Sequence, residues 1–355
     1  MLIHRSLTTL RDCFHNCIAR RGSVSFVSDG VDWVISDIGV SLQKTLNKKF
    51  QFRMVSTPAL LRNGIVHYGA VSALVRRGRP QFPHHSNKMI LTWFHIEPDD
   101  ARIQHIPEIN ARIDLVHTAS TATATQLVIH GFDKHKVVVV PLGVDTTHFR
   151  PPTDEEKEDA RNFFHIPKGR CVIGSFQKDG NGWGEGDTPK LIKGPDLFCD
   201  TVEALAKRFP IHVLLTGPAR GYVKQRLSEK KIPFTHQYVE HARDMVQPYH
   251  ALDLYLVTSR VEGGPMAVLE SWATGVPLIT TNVGMAMDCI LDKVNGILVD
   301  VEDTARLVQS AEYLISHHDE AHILAQRARQ DVSAYDWMHI APQYASSLYV
   351  PLLSI

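Results

Sequence analysis

The chain has 355 residues, 44% apolar and 21% charged, with 38 Lys and Arg against 38 Asp and Glu; that is too long for one comfortable core, suits two domains, and excludes a disordered or low-complexity chain. No apolar run reaches the roughly 18 to 20 residues that cross a bilayer, and no secretory apolar core of about 7 to 15 residues opens the sequence, so a cytoplasmic protein is expected. Five cysteines, an odd number without a Cys-x-x-Cys pair, argue against a disulfide framework and point to ordinary thiols.

The neutral total hides an asymmetry. Residues 1–150 carry 18 Lys and Arg against 11 Asp and Glu, and the remainder 20 against 27. The basic excess concentrates before His95, among others in Arg20, Arg21, Lys48, Lys49, Arg76, Arg77 and Arg79. Two readings stay open: peripheral contact with an anionic inner membrane face or a phosphorylated partner, and a solvated basic surface. The opening "MLIHRSLTTLRDCFHNCIARRG" is either a basic amphipathic helix lying on anionic lipid or a poorly ordered extension. No nucleic-acid partner is expected.

In chain order, "SVSFVS" suits a strand and "DWVISDIGVSLQKTL" has apolar residues at helical spacing. "FQFRMVS" and "MILTWFHI" read as strands, the second ending before Pro98. "IDLVHTAS" is an apolar strand whose last residue, Ser120, can cap the helix "TATATQLVIHG", closed by Gly131. After the short strand "KVVVVPLG" comes a Pro-rich and then acidic stretch, "VDTTHFRPPTDEEKEDA", the best boundary in the chain, with a linker near Asp145 to Pro152.

The second half repeats the pattern. "CVIGSFQ", "IHVLLTG", "ALDLYLVTS", "VPLITT" and "GILV" read as strands, and "PDLFCDTVEALAKRF", "YVKQRLSEKK", "AVLESWATG" and "DTARLVQSAEYLISHH" as helices. Nearly all-apolar strands separated by helices indicate parallel sheets covered on both faces. The expected class is therefore α/β: two Rossmann-like doubly wound domains facing a cleft at the carboxyl ends of their strands. Boundaries are set at 1–148 for an acceptor-binding domain and 149–335 for a nucleotide-side domain. Residues 336–355 form a terminal helix that packs back on the first.

One stretch carries unusual chemistry. "SRVEGGPMAVLESWATGVPLITT", Ser259 to Thr281, sets Glu262 and Glu270 on either side of a Gly-Gly-Pro turn and a helix start, followed by an apolar strand. Gly263 and Gly264 let the backbone approach a ligand, and Pro265 suits the first helical turn. The helix then offers the free N–H groups of Met266 and Ala267 and the positive end of its dipole, a ready site for a diphosphate. Glu262 would reach sugar hydroxyls and Glu270 ribose hydroxyls. Read without context, the same two glutamates are helix-end charges in water.

Context favours the first reading. The run from Glu262 to Glu270 resembles the E-x7-E signature of retaining GT-B glycosyltransferases, in particular glycosyltransferase family 4. "VVPLGVDTTHFRP", "IGSFQKDG" with "KLIKGPDLF", "HVLLTGP" and "DKVNGILV" are similar to that family's other segments, in order. The resemblance covers most of residues 90–345, is strongest from 139 to 300, and fades before 85.

The resemblance implies roles. Lys193, in "KGPD", matches the family's diphosphate-binding lysine. Where that family has Gly-Arg this chain has Phe176-Gln177-Lys178, so the partner role passes to Lys178, with Lys190 as a further candidate. His95, in "TWFHIEPDD", matches the active-site histidine, and Gly30 stands where a first-strand loop meets the diphosphate, without the usual Gly-Gly. Thr216 and Gly217, with Tyr238 and Val239, correspond to base-contact regions. "VGMAMD" replaces a Gly-Gly-x-x-Glu loop, with Asp288 near the glutamate's place.

No Asp-x-Asp follows an apolar strand in the manner of metal-dependent transferases, and no phosphate loop or Gly-x-Gly-x-x-Gly fingerprint is present. No metal and no cofactor are expected. The reading is a hexosyltransferase that moves a sugar with retention from a UDP- or GDP-sugar donor to a glycan, lipid-linked or small-molecule acceptor. Its rivals are a nucleotide-sugar epimerase and a non-catalytic sugar-nucleotide sensor or partner subunit on the same fold.

Overall fold

Two six-stranded, all-parallel sheets organise the chain in a computed structural model, which describes residues 8–353 apart from 10, 14–15, 17–21, 29–33 and 183. Contacts divide it into two units, Met1–Gly143 with Trp337–Ile355, and Val144–Asp336. Residues 144–146 go with the second unit because Val144 N–H donates to Tyr335 O at 2.9 Å and the Thr146 hydroxyl to Asp336 Oδ2 at 2.5 Å.

In the first unit the strands are β1 (Val24–Val27), β2 (Arg53–Val55), β3 (Ile65–Tyr68), the two-residue pair β4 (Val75–Arg76) and β5 (Arg79–Pro80), β6 (Lys88–Thr92), β7 (Leu115–Thr118) and β8 (Val137–Val139). The sheet order is β2-β1-β3-β6-β7-β8, and β4 pairs with β5 in a separate two-stranded sheet. The Val34–Phe50 helix buries Ile38, Leu42, Leu46 and Phe50, a four-residue stripe that the hydrophobic period requires. The chain's last helical stretch, Trp337–Leu353, packs on that helix. Ser120 caps the Thr121–Ile129 helix by accepting from Thr123 N–H at 3.2 Å.

Several elements depart from the sequence reading. The strand expected over "MILTWFHI" ends at Thr92, and the indole of Trp93 donates to His95 O at 3.0 Å in the irregular turn that follows. β3 has no counterpart in the reading, because four residues centred on a histidine break the apolar run. His67 is nonetheless fully buried, with Nδ1 2.8 Å from the Tyr349 hydroxyl and Nε2 2.8 Å from Thr92 Oγ1. Thr92 Oγ1 is in turn 2.9 Å from His117 Nδ1, and His117 Nε2 is 2.9 Å from Val140 O. The carbonyl can only accept, so the protons are fixed along the whole chain: Tyr349 donates to His67, His67 to Thr92, Thr92 to His117 and His117 to Val140. Burial, which lowers the pKa of both imidazoles, favours the single proton on each ring that this order requires.

In the second unit the strands are β9 (Cys171–Ser175), β10 (Ile211–Leu215), β11 (Phe234–His236), β12 (Leu254–Val257), β13 (Leu278–Thr281) and β14 (Ile297–Val299). Their order is β11-β10-β9-β12-β13-β14, the doubly wound arrangement in which strand order reverses between the first and fourth strands, here β9 and β12. Beyond the linker expected near Asp145 to Pro152, the acidic residues form a helix, Asp154–Phe163, held by a capping box between Thr153 and Glu156. A further helix, His318–Asp331, follows Thr304–Ser316.

Among the described residues Cys13, Cys171, Cys199 and Cys289 are free thiols, and burial pushes the last three up to about 12. No described helix is long and apolar enough to cross a membrane. The basic N-terminal segment and Gly30 lie largely or wholly outside the described residues.

Candidate functional site

Ligands of doubly wound sheets bind outside the carboxyl ends of the strands at the reversal. Here those ends release two segments: Phe176-Gln177-Lys178 after β9, and Thr258 to Glu262 after β12. A third, Leu191–Lys193 with Gly194, is laid against them. Arg260 N–H donates to Ile192 O at 2.8 Å, and the Thr258 hydroxyl donates to Gly194 O at 2.8 Å. Gly194 has φ 62, and a Cβ there would collide with the Thr258 carbonyl, so "KGPD" needs glycine to lie this close.

The result is a cluster of polar side chains at the reversal. Lys193 Nζ is 2.6 Å from Glu262 Oε1, and the Ser259 hydroxyl donates to the same oxygen at 2.9 Å. The Gln177 amide donates to Lys193 O at 2.7 Å, while its oxygen is 3.2 Å from Ser259 Oγ. Gln177 thus ties the β9 loop to both others, a role the sequence reading gave to no residue. Its neighbour Lys178 has a pKa lowered by burial and then by the nearby Lys190 ammonium. The segments that carry the two lysines meet at the backbone, where Lys190 N–H donates to the carbonyl of Asp179, the residue after Lys178, at 2.7 Å.

Asp179 and Arg220 form a fully buried ion pair, Nε to Oδ1 3.0 Å. Arg220 Nη1 donates to Ser175 O at 2.6 Å and Thr216 O at 2.8 Å, stitching the end of β9 to the loop after β10. This places Thr216 and Gly217 beside the β9 loop, and Gly217 O accepts from His236 Nε2 at 2.8 Å. Tyr238 and Val239 lie beyond the end of β11, with Tyr238 half exposed. Arg220 carried no role in the sequence reading, because a lone arginine in a loop gives no sign of its burial.

The helix after the Gly-Gly-Pro turn runs from Met266 to Thr274. Pro265 is the residue before it, with φ −67 and ψ 103, rather than the first helical residue expected, so Met266 and Ala267 open the helix with N–H groups that have no intrahelical acceptor. Gly263 is buried, and its carbonyl accepts from Met285 N–H at 2.9 Å. Gly284, at φ 51, lies so near that a Cβ would come within 2.6 Å of the Glu262 and Gly263 carbonyls. The "VGMAMD" loop therefore packs on the turn through its glycine, while Asp288 is exposed.

Glu270 Oε2 accepts from the Tyr249 hydroxyl at 3.0 Å. Tyr249 is fully buried against Phe176 and Tyr255, ring centroids 4.9 and 5.2 Å away, and burial first, then Tyr255 and Glu270, raise its pKa well above the ordinary phenol value. Glu270 is thus held by a neutral donor and keeps acceptor capacity.

His95 belongs to the first unit, three residues beyond β6, with Nε2 3.5 Å from Glu97 Oε1. Among the described residues no group of three or more His, Cys, Asp or Glu could hold a metal ion.

Comparison with known proteins bears on this arrangement. A family model described as "Glycosyl transferases group 1" matches residues 186–317, which contain Lys193, Thr216, Gly217, Glu262 and Glu270. The chain is 28% identical over 265 residues to a D-inositol 3-phosphate glycosyltransferase of Corynebacterium urealyticum, covering 70% of this chain and 59% of that one. It is 27% identical over 210 residues to the lipopolysaccharide core biosynthesis mannosyltransferase LpsB of Rhizobium meliloti, covering 56% and 55%. The match spans less than two thirds of either relative. Anabaena Alr3699/HepE, solved in complex with UDP and glucose, superposes with TM-score 0.75 at 17% identity, covering 93% of this chain and 99% of that one. A Rickettsia africae glycosyltransferase gives 0.70 at 17%, covering 94% and 99%. These likenesses show the fold: two Rossmann-like parallel-sheet domains of the GT-B kind.

Proposed function

We propose that the chain is a retaining hexosyltransferase that takes a nucleotide-diphosphate sugar in the Val144–Asp336 unit. The observation that carries this is the Lys193–Glu262 pair at the sheet reversal, beside the start of the Met266–Thr274 helix. A cation, open helix N–H groups and a carboxylate within one loop cluster suit a leaving diphosphate and the sugar attached to it. The relatives named as glycosyltransferases support the class, and the Anabaena complex makes UDP the first nucleotide to try.

In this reading the bond between the sugar carbon and the diphosphate oxygen breaks as the acceptor oxygen attacks on the same face. The acceptor's proton passes to the departing phosphate oxygen. The sugar carbon becomes cation-like, and the charge gathering on the diphosphate is offset by Lys193, Lys178 and the N–H groups of Met266 and Ala267. Glu262 holds sugar hydroxyls and Glu270 the ribose, while Thr216, Gly217, Tyr238 and Val239 border the base. The N-terminal unit, with His95, takes a glycan, lipid-linked or small-molecule acceptor. No divalent ion or cofactor is required by this set of residues.

Incubation with UDP- and GDP-sugars, followed by nucleotide release and by the anomeric configuration of the product, tests the proposal. Release that is lost in Glu262→Ala and Lys193→Ala, with a retained anomer, supports it. Return of an altered but intact nucleotide-sugar would mean an epimerase, and binding without turnover a sensor or partner subunit.

A further inference from the structure

A cavity of ≈ 850 Å³ lies wholly within the N-terminal unit. Its walls are the segment that leaves β2, from Thr57 to Arg62, and the segment that leaves β3, from Tyr68 to His84. β2 and β3 are the two strands that flank β1, the sheet's order turns back between β1 and β3, and ligands of open parallel sheets bind outside the strand ends at such a reversal. The volume suits a small molecule or a headgroup.

Four arginines line it, Arg62, Arg76, Arg77 and Arg79, and no lining residue is a carboxylate. Among the described residues none of the four is in an ion pair. The nearby Asp12 turns its carboxylate to Ser56 instead, accepting from the backbone N–H at 2.7 Å and the hydroxyl at 2.8 Å.

The arrangement breaks two local rules. Arg76 and Arg79 are directly opposite each other in the β4–β5 ladder, and like charges so placed destabilise a hairpin. The turn between them is Arg77-Gly78 with φ 52 and 72, and its first position favours Asn, Asp or Gly over a long side chain. Such conflicts collect where function requires them. Two of the arginines are tethered: Arg76 donates from Nε to Ala73 O at 3.1 Å and from Nη2 to Ser56 O at 3.2 Å, and Arg62 Nη1 donates to Leu61 O at 2.8 Å. The Tyr68 hydroxyl donates to Gln81 O at 2.6 Å, pinning the segment after the hairpin to the end of β3. With five N–H donors each, Arg62 and Arg76 keep most of theirs for a ligand.

We propose that this pocket binds a phosphomonoester. A phosphate carries close to two negative charges at neutral pH and three acceptor oxygens, which several guanidinium forks can share, whereas one carboxylate occupies a single fork. The phosphate sits on a free small molecule or on a lipid headgroup. The inference concerns the N-terminal unit alone and does not depend on the donor reading.

Titration calorimetry with glycerol 3-phosphate, and sedimentation with phosphatidylcholine vesicles containing phosphatidic acid, test it on the full chain. Binding of either probe weakens by about tenfold or more in Arg76→Ala/Arg79→Ala, while UDP binding stays unchanged. Loss of glycerol 3-phosphate binding identifies a free phosphomonoester, and loss seen only with vesicles a lipid headgroup. Arg77→Gly guards against a folding artefact: it relieves the turn, so Tm rises while probe binding falls, whereas a purely structural arginine would make binding follow stability. The proposal is overturned if neither probe binds the wild type, if the variants bind as the wild type does, or if single-stranded RNA alone shows the arginine dependence.

Discussion

Lys193 Nζ and Glu262 Oε1 stand 2.6 Å apart with their side chains 16% and 13% exposed, so each neutralises the other. A phosphate that enters the site must take the lysine from the glutamate. Glu262→Gln removes that competitor while keeping the shape, and UDP or GDP then binds about threefold to tenfold tighter. Transfer falls by about tenfold or more in the same variant, because the carboxylate proposed to hold the sugar is gone. Calorimetry and steady-state rates on one preparation check both halves. Lys193→Ala lowers both and, by taking the cationic partner from the largely buried Glu262 carboxylate, costs about 1–3 kcal/mol of stability.

Tyr249→Phe removes one hydroxyl, the donor to Glu270. The carboxylate is then held less firmly in the orientation proposed for the ribose contact. KM for the nucleotide-sugar rises by about threefold to tenfold with kcat nearly unchanged, since the ribose contact proposed for Glu270 is the same before and during the reaction. Loss of the hydrogen bond costs about 1 kcal/mol of stability. A fall in kcat with unchanged KM would place Tyr249 in the chemistry instead.

The buried Asp179–Arg220 pair gives a third test. Arg220→Met strands a buried carboxylate and lowers stability by about 3–5 kcal/mol. Asp179→Leu/Arg220→Met removes both charges and restores much of that loss. It leaves the Ser175 and Thr216 carbonyls without their shared donor, so nucleotide binding stays weak in a chain that folds. Urea denaturation and UDP titration of the three proteins separate the two effects.

The histidine chain of the first unit predicts acid sensitivity. Burial, with His117 adding to it, holds His67 well below its ordinary pKa, and burial pushes His117 down to about 4. In the unfolded chain both titrate near about 6.5, so on acidification the unfolded state takes the protons first. Stability is therefore complete above about pH 6.5 and falls below it by about 1.4 kcal/mol per pH unit for each histidine, down to about pH 4 for His117 and further for His67. The surrounding Tyr344 and Tyr349 stay neutral throughout, since burial raises both. Urea midpoints between pH 7 and pH 5 read this directly, and His67→Gln/His117→Gln flattens the profile.

The sequence made the alternation of strand and helix legible because each buried parallel strand is an apolar run. β3 and the β4–β5 hairpin escaped it: His67 is paid for by bonds to Thr92 and Tyr349, the latter from a segment 282 residues away, which no local pattern reveals. The Asp154–Phe163 helix was readable in Thr153 and Glu156, whose capping-box spacing lay hidden in an acidic, loop-like composition. At the site, the spacing of Glu262 and Glu270 and the glycine of "KGPD" were visible as motif. Gln177, Tyr249 and Arg220 were not, since what they do depends on the sheet order that sets β9 beside β12.

The most direct measurement is diffraction from crystals grown with UDP. The account predicts the β-phosphate within hydrogen-bond distance of Lys193 Nζ and of the Met266 and Ala267 N–H groups, with Glu262 no longer on Lys193 and the ribose hydroxyls on Glu270. UDP bound elsewhere, with Lys193 still on Glu262, would contradict it.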